Sequence, residues 1–204
     1  MISRMMGSQL RRPRGLLGRL VGRGMALVNR PINIWTTRLM NIRPQDRVLE
    51  VGFGSGVAIR RMSQLASSGF VAGIDHSETM VEQARIQNAS AIREGRAELR
   101  WGEARDLPYE DSWFDKACAI QGIYFWPEPD AVLQELRRVL KPGGLIAITV
   151  SPKEELGRWR FTDHYYALYT GEEIVGMLTQ AGFREAHLEM RRTRPRALCA
   201  LAIK

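Results

Sequence analysis

The sequence predicts a single α/β domain in which a mostly parallel sheet is covered by helices on both faces. Two features predict this fold. Short apolar segments typical of buried strands alternate with helical patterns through most of the chain, and such alternation is typical of parallel sheets, whose strands need crossover connections. A glycine-rich loop also follows the first strand directly and opens a helix. The 204 residues suffice for one sizeable core.

The strands of this fold are short apolar runs bounded by turn residues. They are predicted at 47–51, 70–75, 97–101, 114–120, 145–150, 183–189 and 197–203. The helices between them are predicted at about 57–67, 78–92, 130–140 and 171–182. Ser77 and Asp130 are suited to cap two of these helices, because their side-chain oxygens can accept hydrogen bonds from free backbone N–H groups. The KPGG segment at 141–144 is predicted to end the third helix, and Gly182 the fourth.

The N-terminal segment carries most of the net charge. The chain has a formal net charge of +8, and residues 1–30 hold seven arginines and no acid, so the remainder carries only +1. Apolar residues at helical spacing predict a basic amphipathic helix over 16–28, followed by a second short helix over 32–40. The predicted apolar stripe of the first helix, which we expect to turn towards the domain, consists of Leu16, Leu17, Leu20, Val21, Met25 and Val28. The sequence therefore predicts a basic N-terminal arm and helical lid over 1–45 and the α/β domain over 46–204.

The glycine loop indicates which class of ligand the fold binds. Gly52, Gly54 and Gly56 have the spacing G-x-G-x-G, whereas a dinucleotide-binding loop has G-x-G-x-x-G. Glu50 ends the preceding strand, and its carboxylate would repel a pyrophosphate but attract ammonium and sulfonium charges. Asp75 ends the second strand, where a carboxylate accepts hydrogen bonds from ribose hydroxyls. S-adenosylmethionine (SAM) combines these features.

Four motifs in order resemble the class I SAM-dependent methyltransferases, in the broad small-molecule group that includes the ubiquinone/menaquinone C-methyltransferases. They read VLEVGFGSG, GIDHSETMVEQA, WGEARDLPYEDSWFD and LRRVLKPGGLIAIT. The sequence resembles the family's motifs closely over 46–150. Over 171–204 only the positions of the predicted helix and strands match. The resemblance implies a Rossmann-like class I methyltransferase fold with a mostly parallel seven-stranded sheet, and SAM as the cofactor.

The resemblance also implies a set of cofactor-binding residues. They are Glu50, Gly52, Gly54, Gly56, Asp75, His76, Met80, Gly102, Glu103, Ala104 and Gln121. By this resemblance the glycine loop approaches the methionine part of SAM, Glu50 anchors the amino group and Asp75 binds the ribose. His76 and Met80 lie beside the adenine, and 102–104 contact its edge. Many relatives have Asp where this chain has Glu103.

Catalysis of methyl transfer does not require a covalent nucleophile. The reaction is an in-line displacement, so an acceptor held about 3 Å from the methyl group and aligned with it gains much of the rate acceleration. A base is needed only if the acceptor must lose a proton. By position alone, His164, Tyr124 and Tyr165 are candidates. Trp126, Trp159 and Phe161 are candidates for an apolar substrate pocket, although aromatic core residues would look the same.

Two absences argue against the common DNA methyltransferases. No Asn/Asp-Pro-Pro-aromatic motif follows the fourth strand, where the chain has Gln121-Gly122-Ile123-Tyr124, and no Pro-Cys nucleophile is present. The sequence therefore favours a small-molecule acceptor and makes nucleic acid an unlikely partner. Two alternatives stay open: a nucleic-acid methyltransferase that uses the arginine arm as its phosphate contact, and a non-catalytic SAM-binding protein.

The basic arm has several interpretations. We favour a lid over the active site, with weak peripheral membrane contact through 15–29 as an added role; an organelle transit peptide would also be rich in arginine. No apolar run approaches the roughly 20 residues of a spanning helix, so we expect a cytoplasmic protein. The cysteines, Cys118 and Cys199, lack metal-ligand spacing, which predicts buried thiols and no metal site. The sequence does not predict the oligomeric state.

Overall fold

A computed structural model describes residues 15–157 and 167–204 of the chain. The strands are β1 (Arg47–Val51), β2 (Phe70–Asp75), β3 (Ala97–Trp101), β4 (Phe114–Ile120), β5 (Leu140–Val150), β6 (Arg184–Arg191) and β7 (Ala197–Ile203). The helices are α1 (Gly15–Leu39), α2 (Val57–Leu65), α3 (Glu78–Gln87), α4 (Ala89–Arg93), α5 (Pro129–Val139), α6 (Lys153–Leu156) and α7 (Gly171–Gln180), with a short 3-10 helix at Ile123–Phe125. None of the helices in these two ranges is both long and apolar enough to span a membrane.

The strands form one seven-stranded sheet among the described residues, in the order β3-β2-β1-β4-β5-β7-β6. Strands β1 to β5 pair in parallel, and β7 runs antiparallel to both of its neighbours, β5 and β6. The chain progresses from β1 to β3 on one side and from β4 outwards on the other. The strand order therefore reverses between β1 and β4, and the carboxyl ends of these two strands border a crevice suited to a ligand. The predicted mostly parallel sheet is confirmed.

Two apolar clusters cover the two faces of the sheet. Alternate residues of each strand point to opposite faces. Leu49 and Val51 point to one face and pack with apolar residues of α5 and α7 in the first cluster. Val48 belongs to the other cluster, which α1, α2 and α3 complete. Cys118 and Cys199 are both buried free thiols, as predicted. The sheet is thus covered on both sides and holds the loops at its carboxyl edge in fixed positions.

The first four strands have the predicted bounds, but two predicted helices differ. The helix predicted over 78–92 is broken at Asn88, whose side-chain Nδ2 donates to the backbone oxygens of Ala84 and Gly56. Ser77 caps α3 as predicted, because its side chain accepts a hydrogen bond from the backbone N–H of Met80. The predicted cap at Asp130 is wrong. Proline at the first position starts α5 one residue earlier and places Asp130 in the first turn.

The segment after α5 differs from the prediction, whereas the end of α7 agrees with it. The KPGG segment at 141–144 does not separate helix from strand. Strand β5 already begins at Leu140 and passes through the segment with a shifted register against β4. In contrast, α7 ends close to Gly182, whose positive φ of 87° suits a helix C-terminus. Thr170 and Glu173 form a capping box at its start.

The two helices predicted for the N-terminal arm are one continuous helix, α1, with Pro31 inside it. The side that packs on the domain agrees with the prediction only in part, because Met25 of the predicted apolar face does turn towards the domain. Gly18 and Gly22 are buried, whereas Leu20 and Val28, which belong to the predicted apolar stripe, are largely exposed. A Cβ atom on Gly22 would lie 2.8 Å from Cε of Met80 in α3. Small residues therefore allow α1 to approach α3 closely.

The C-terminal half of α1 is fixed to the sheet. Ile32 and Met40 are fully buried. The hydroxyl groups of Thr36 and Thr149 are 2.9 Å apart in a buried hydrogen bond that joins α1 to β5. Each buried hydroxyl thereby has a partner, as burial requires. This anchoring sets the position of the N-terminal half of α1 above the carboxyl edge of the sheet.

Candidate functional site

A cavity of about 750 Å³ lies at the carboxyl edge of the sheet, where the strand order reverses. Its walls come from the glycine loop after β1, the loops after β2, β3 and β4, and α1. The predicted cofactor-binding residues that line it are Glu50, Gly52, Gly54, Asp75, His76, Met80, Gly102, Glu103, Ala104 and Gln121. The topology thus brings together residues from four separate segments, and Gly56 is the predicted residue that does not line the cavity.

The three loop glycines all have positive φ angles but differ in their surroundings. Their φ values are 74° for Gly52, 54° for Gly54 and 81° for Gly56. A Cβ atom on Gly54 would project into open space within the cavity region, with no atom within 4 Å. A Cβ atom on Gly56 would instead lie 2.7 Å from Cβ of Ala84. Gly54 therefore leaves room for a ligand, whereas Gly56 allows the start of α2 to pack against α3.

Asp75 fixes two parts of the site at once. One carboxylate oxygen, Oδ2, accepts a hydrogen bond of 2.8 Å from the backbone N–H of Gly54, and Oδ1 accepts one of 2.8 Å from Ser77. Burial raises the pKa of Asp75, while these two hydrogen bonds and the nearby His76 oppose the rise. Each carboxylate oxygen has a further lone pair, so Asp75 can hold the glycine loop and still accept a hydrogen bond from a ligand.

Glu50 is the buried carboxyl group without a full set of partners. Its side chain lines the cavity and is 2% exposed, and its Oε2 atom has no hydrogen-bond partner within the described residues. Burial raises the pKa of Glu50 to about 8, and the negative charge of Asp75 contributes to the rise. Because Asp75 accepts two N–H bonds and Oε2 of Glu50 accepts none, the proton of this pair resides on Glu50 near neutral pH. A cationic group in the cavity would supply the missing partner.

The loops after β2 and β3 form a second part of the cavity wall. The backbone N–H of Gly102 donates to the backbone oxygen of Asp75 at 3.1 Å, and the indole N–H of Trp101 donates to the oxygen of His76, also at 3.1 Å. These bonds tie the two loops together. A Cβ atom on Gly102 would lie 2.9 Å from Cδ1 of Ile74, so glycine allows the loop to pass close to β2. The predicted adenine-side residues therefore share one wall.

A polar cluster follows β4 beside the cavity. Gln121 has a positive φ of 60° and lines the cavity. Its Nε2 atom donates to the hydroxyl of Ser151 at 2.9 Å, and its Oε1 atom accepts a hydrogen bond of 2.8 Å from the hydroxyl of Tyr124. The backbone N–H of Ser151 donates to the Tyr124 oxygen at 2.6 Å. Tyr124, a candidate base from the sequence, is buried and holds the amide of Gln121 in one orientation.

The other two candidate bases, His164 and Tyr165, lie outside the described residues, as do Trp159 and Phe161. Trp126 is described and lines the cavity together with Phe125 and Pro127. These three residues form an apolar wall next to Gln121. Trp126 therefore lines the cavity, as a pocket residue would, and also belongs to the buried apolar core.

Sequence reasoning missed most of the wall that α1 contributes. The lining residues from this helix are Gly22, Met25, Ala26, Asn29 and Asn33. A signal for this wall is present in the sequence, because Gly18, Gly22 and Ala26 recur every four residues and so share one helix face. A stripe of small residues allows a helix to approach its neighbours closely. The apolar spacing of the larger residues concealed it.

Comparison with known proteins agrees with this geometry. A family described as "Methyltransferase domain" matches residues 49–148. The chain is 28% identical over 186 residues to the uncharacterized methyltransferase YdaC of Bacillus subtilis (strain 168), covering 91% of this chain and 98% of that protein. It is 30% identical over 166 residues to a ubiquinone/menaquinone biosynthesis C-methyltransferase of Geobacter sp. (strain M21), covering 81% of this chain and 69% of that protein.

Other relatives are longer, and the chain spans 61% and 40% of two of them, the O-methyltransferase resE of Aspergillus sclerotiorum and the 27-O-demethylrifamycin SV methyltransferase of Amycolatopsis mediterranei (strain S699). The fold matches the crystal structure of a SAM-dependent methyltransferase from Aquifex aeolicus with a TM-score of 0.70 at 23% identity, covering 84% of this chain and 88% of that one. The cavity, the glycine loop and these similarities together show that the chain belongs to the SAM-dependent methyltransferases and that its cofactor is SAM.

Proposed function

We propose that this chain transfers the methyl group of SAM to a small, largely apolar acceptor that binds in the cavity beside the cofactor. The observation that carries the proposal is the enclosure of the cavity. Helix α1 forms one wall, and the apolar residues Phe125, Trp126 and Pro127 form another. The cavity volume of about 750 Å³ is in the range of small-molecule sites, which hold about 300–1,000 Å³.

The charges in the cavity disfavour a nucleic-acid acceptor. Arg105 lines the cavity but forms an ion pair of 2.5 Å with Glu128, so its charge is already partnered. A nucleic acid needs several free cationic contacts to its phosphates. Among the described lining residues no such set reaches the cavity. The activity for which the Geobacter relative is named, C-methylation in ubiquinone and menaquinone biosynthesis, also supports a small acceptor.

The residues of the cavity have separable roles in this proposal. Bound SAM supplies an electrophilic methyl group. The carboxylates of Glu50 and Asp75 bind the cationic and ribose parts of the cofactor, and the glycine loop admits it. Gln121, held by Tyr124 and Ser151, presents a fixed amide to the acceptor. Fixed orientation is the main requirement of an in-line displacement.

In this proposal, helix α1 acts as a lid over the cavity. Met25 and Asn29 line the cavity, and the C-terminal half of the helix is anchored to the sheet through Thr36. A lid that excludes water strengthens the electrostatic interactions beneath it. The predicted arm over 1–45 therefore contributes directly to the site of the domain over 46–204.

An acceptor screen tests the proposed function. The full chain is incubated with SAM and, in separate reactions, with a set of small apolar aromatic acceptors, duplex DNA and transfer RNA, and S-adenosylhomocysteine is measured. We expect product with at least one small acceptor and none with either nucleic acid. Trp126→Ala should lower turnover at least about tenfold, since loss of a well-placed wall contact misaligns the acceptor. Methylation of nucleic acid alone, or SAM binding without any turnover, would contradict the proposal.

Asp75→Ala tests the assigned cofactor site. We expect the affinity for SAM to fall at least about tenfold, because charge-assisted hydrogen bonds contribute roughly 1.5–3 kcal/mol each. Isothermal titration calorimetry measures the effect. Asp115→Ala is a matched control, since Asp115 also accepts a 2.8 Å backbone hydrogen bond, from Arg47, but lies at the start of β4 on the opposite edge of the sheet. Equal SAM affinity in the two variants would refute the assignment.

A further inference from the structure

The face of α1 that turns away from the cofactor cavity exposes large apolar side chains. Leu20 is 63% exposed, Leu27 is 74% exposed and Val28 is 66% exposed. Leu27 lies seven residues, about two helical turns, beyond Leu20, so the two share one side of the helix. We call these three residues the apolar stripe. Isolated exposed apolar residues are common on protein surfaces, but three large ones on one helix are a candidate interaction surface.

A second cavity, of about 710 Å³, opens beside the apolar stripe between α1, α2 and α3. Leu27 of the stripe lines it, and so do Arg30, Arg60 and Arg61. We call this cavity the arginine groove. Its other polar lining side chains include the amides of Gln83 and Gln87, and no Asp or Glu lines it. The groove is therefore a concentrated positive region directly adjoining an apolar one.

The arginines of the groove are available to an anion. Arg30 and Arg60 are exposed. Arg61 donates from Nε to the hydroxyl of Thr37 at 2.7 Å, which orients its guanidinium group and leaves its other N–H groups for a ligand. Within residues 15–157 and 167–204, none of the three forms an ion pair with a carboxylate. Guanidinium groups bind phosphate oxygens through paired N–H donors.

We propose that the apolar stripe and the arginine groove together dock the protein on an anionic phospholipid bilayer. The stripe enters the boundary between headgroups and acyl chains, and the arginines bind headgroup phosphates. Residues 1–30, with seven arginines and no acid, add positive charge to the same segment of the chain. A helix with an apolar face flanked by arginines is suited to lie in the plane of a membrane surface.

The charge pattern favours the bilayer over the other possible occupants. A second copy of the chain would bring its own arginines to the contact, and like charges oppose such a pairing. A soluble anion would fill the groove but would leave the apolar stripe in water. A phospholipid surface satisfies both features, because it combines phosphates with an apolar interior. This docking is independent of the proposed acceptor.

Vesicle co-sedimentation of the full chain tests the proposal. We expect binding to vesicles of phosphatidylcholine and phosphatidylglycerol, little binding to phosphatidylcholine alone, and weaker binding at high salt, which screens exposed charges. The double variant R30Q/R60Q should reduce binding at least about tenfold, since each arginine near an anionic surface contributes about a fourfold to sixfold increase in affinity. The double variant L20Q/L27Q should also reduce binding at least about tenfold, because it removes apolar side chains that enter the bilayer. Arg184→Gln is the control, because Arg184 is exposed on the outermost strand β6.

Measurements on the same variants separate the alternatives. None of the four substituted positions lines the cofactor cavity, so we expect unchanged SAM affinity, which also reports an intact fold. Binding of inorganic phosphate without vesicle binding would assign the groove to a soluble anion and overturn the proposal. A dimer in sedimentation velocity that L20Q/L27Q dissociates would assign the stripe to a second copy instead. Equal binding to neutral vesicles, or equal binding by wild type and both double variants, would also overturn it.

Discussion

Glu50→Gln is expected to make the ligand-free protein more stable and, at the same time, to impair SAM binding. The wild-type carboxyl group is buried, and its Oε2 atom has no partner. Its pKa of about 8 in the folded protein, against an ordinary value of 4.5, means that folding requires Glu50 to take up a proton at neutral pH. Linkage makes this uptake cost the folded state about 2–4 kcal/mol at pH 7. A neutral amide avoids that cost.

The pH dependence of the effect has a defined sign. Because the folded pKa lies above the unfolded value, the contribution of Glu50 to the free energy of unfolding is intact below pH 4.5 and is lost as the pH rises through about 8. The glutamine variant does not titrate. The variant should therefore equal the wild type in melting temperature near pH 4.5, and its advantage should grow up to pH 8 to several degrees, at about 2–4 °C per kcal/mol for a domain of this size.

Cofactor binding should change in the opposite direction. A cationic group of SAM favours the ionised carboxylate, so binding to the wild type below pH 8 should release a proton from Glu50. Calorimetry in buffers of different ionisation enthalpy measures this release, which we expect to be absent in Glu50→Gln, along with at least a roughly tenfold loss of affinity. Glu103→Gln is the control for stability, since Glu103 lines the same cavity but is exposed. A variant no more stable than the wild type at pH 8 would contradict the prediction.

The sequence predicted the sheet more accurately than the surroundings of the site. Strands β1 to β4 have the predicted bounds, because short apolar runs between turn residues leave little choice of start and end. The start of β5 was not predicted correctly, because KPGG is a typical turn sequence but forms part of the strand here. The glycine loop and the acidic strand ends, together with the family resemblance, predicted a set of residues of which most line one cavity.

Helix α1 shows why the rest of the site could not be predicted. Hydrophobic periodicity weights large side chains, and it placed Leu20 and Val28 on the inward face. In the structure Met25 lies inwards as predicted, but Gly22 is buried against α3 while Leu20 and Val28 are exposed. That packing depends on a contact between segments almost sixty residues apart, between Gly22 and Met80. The repeat of small residues every four positions indicates a closely packed face, but it does not identify α3 as the partner, so the inward face of α1 could be assigned only from the structure.

Gly54→Val is expected to abolish SAM binding while leaving the protein folded. Gly54 has a φ of 54°, and a Cβ atom there would meet no atom within 4 Å. The Cβ atom of a valine would therefore meet no clash in the ligand-free protein, and we expect the side chain to occupy the space that the cofactor needs. The positive φ adds strain of about 1–3 kcal/mol, which a domain with two apolar clusters can tolerate.

Gly95→Val separates the strain from the obstruction. Gly95 also has a positive φ, of 70°, and open space around its Cβ position, but it lies in the turn before β3 and does not line the cavity. The two variants should lose similar amounts of thermal stability, since both place a β-branched residue in the left-handed region. Only Gly54→Val should lose measurable heat of SAM binding in calorimetry. If both variants bound SAM equally well, the glycine loop would be a structural turn and the cofactor would have to bind elsewhere.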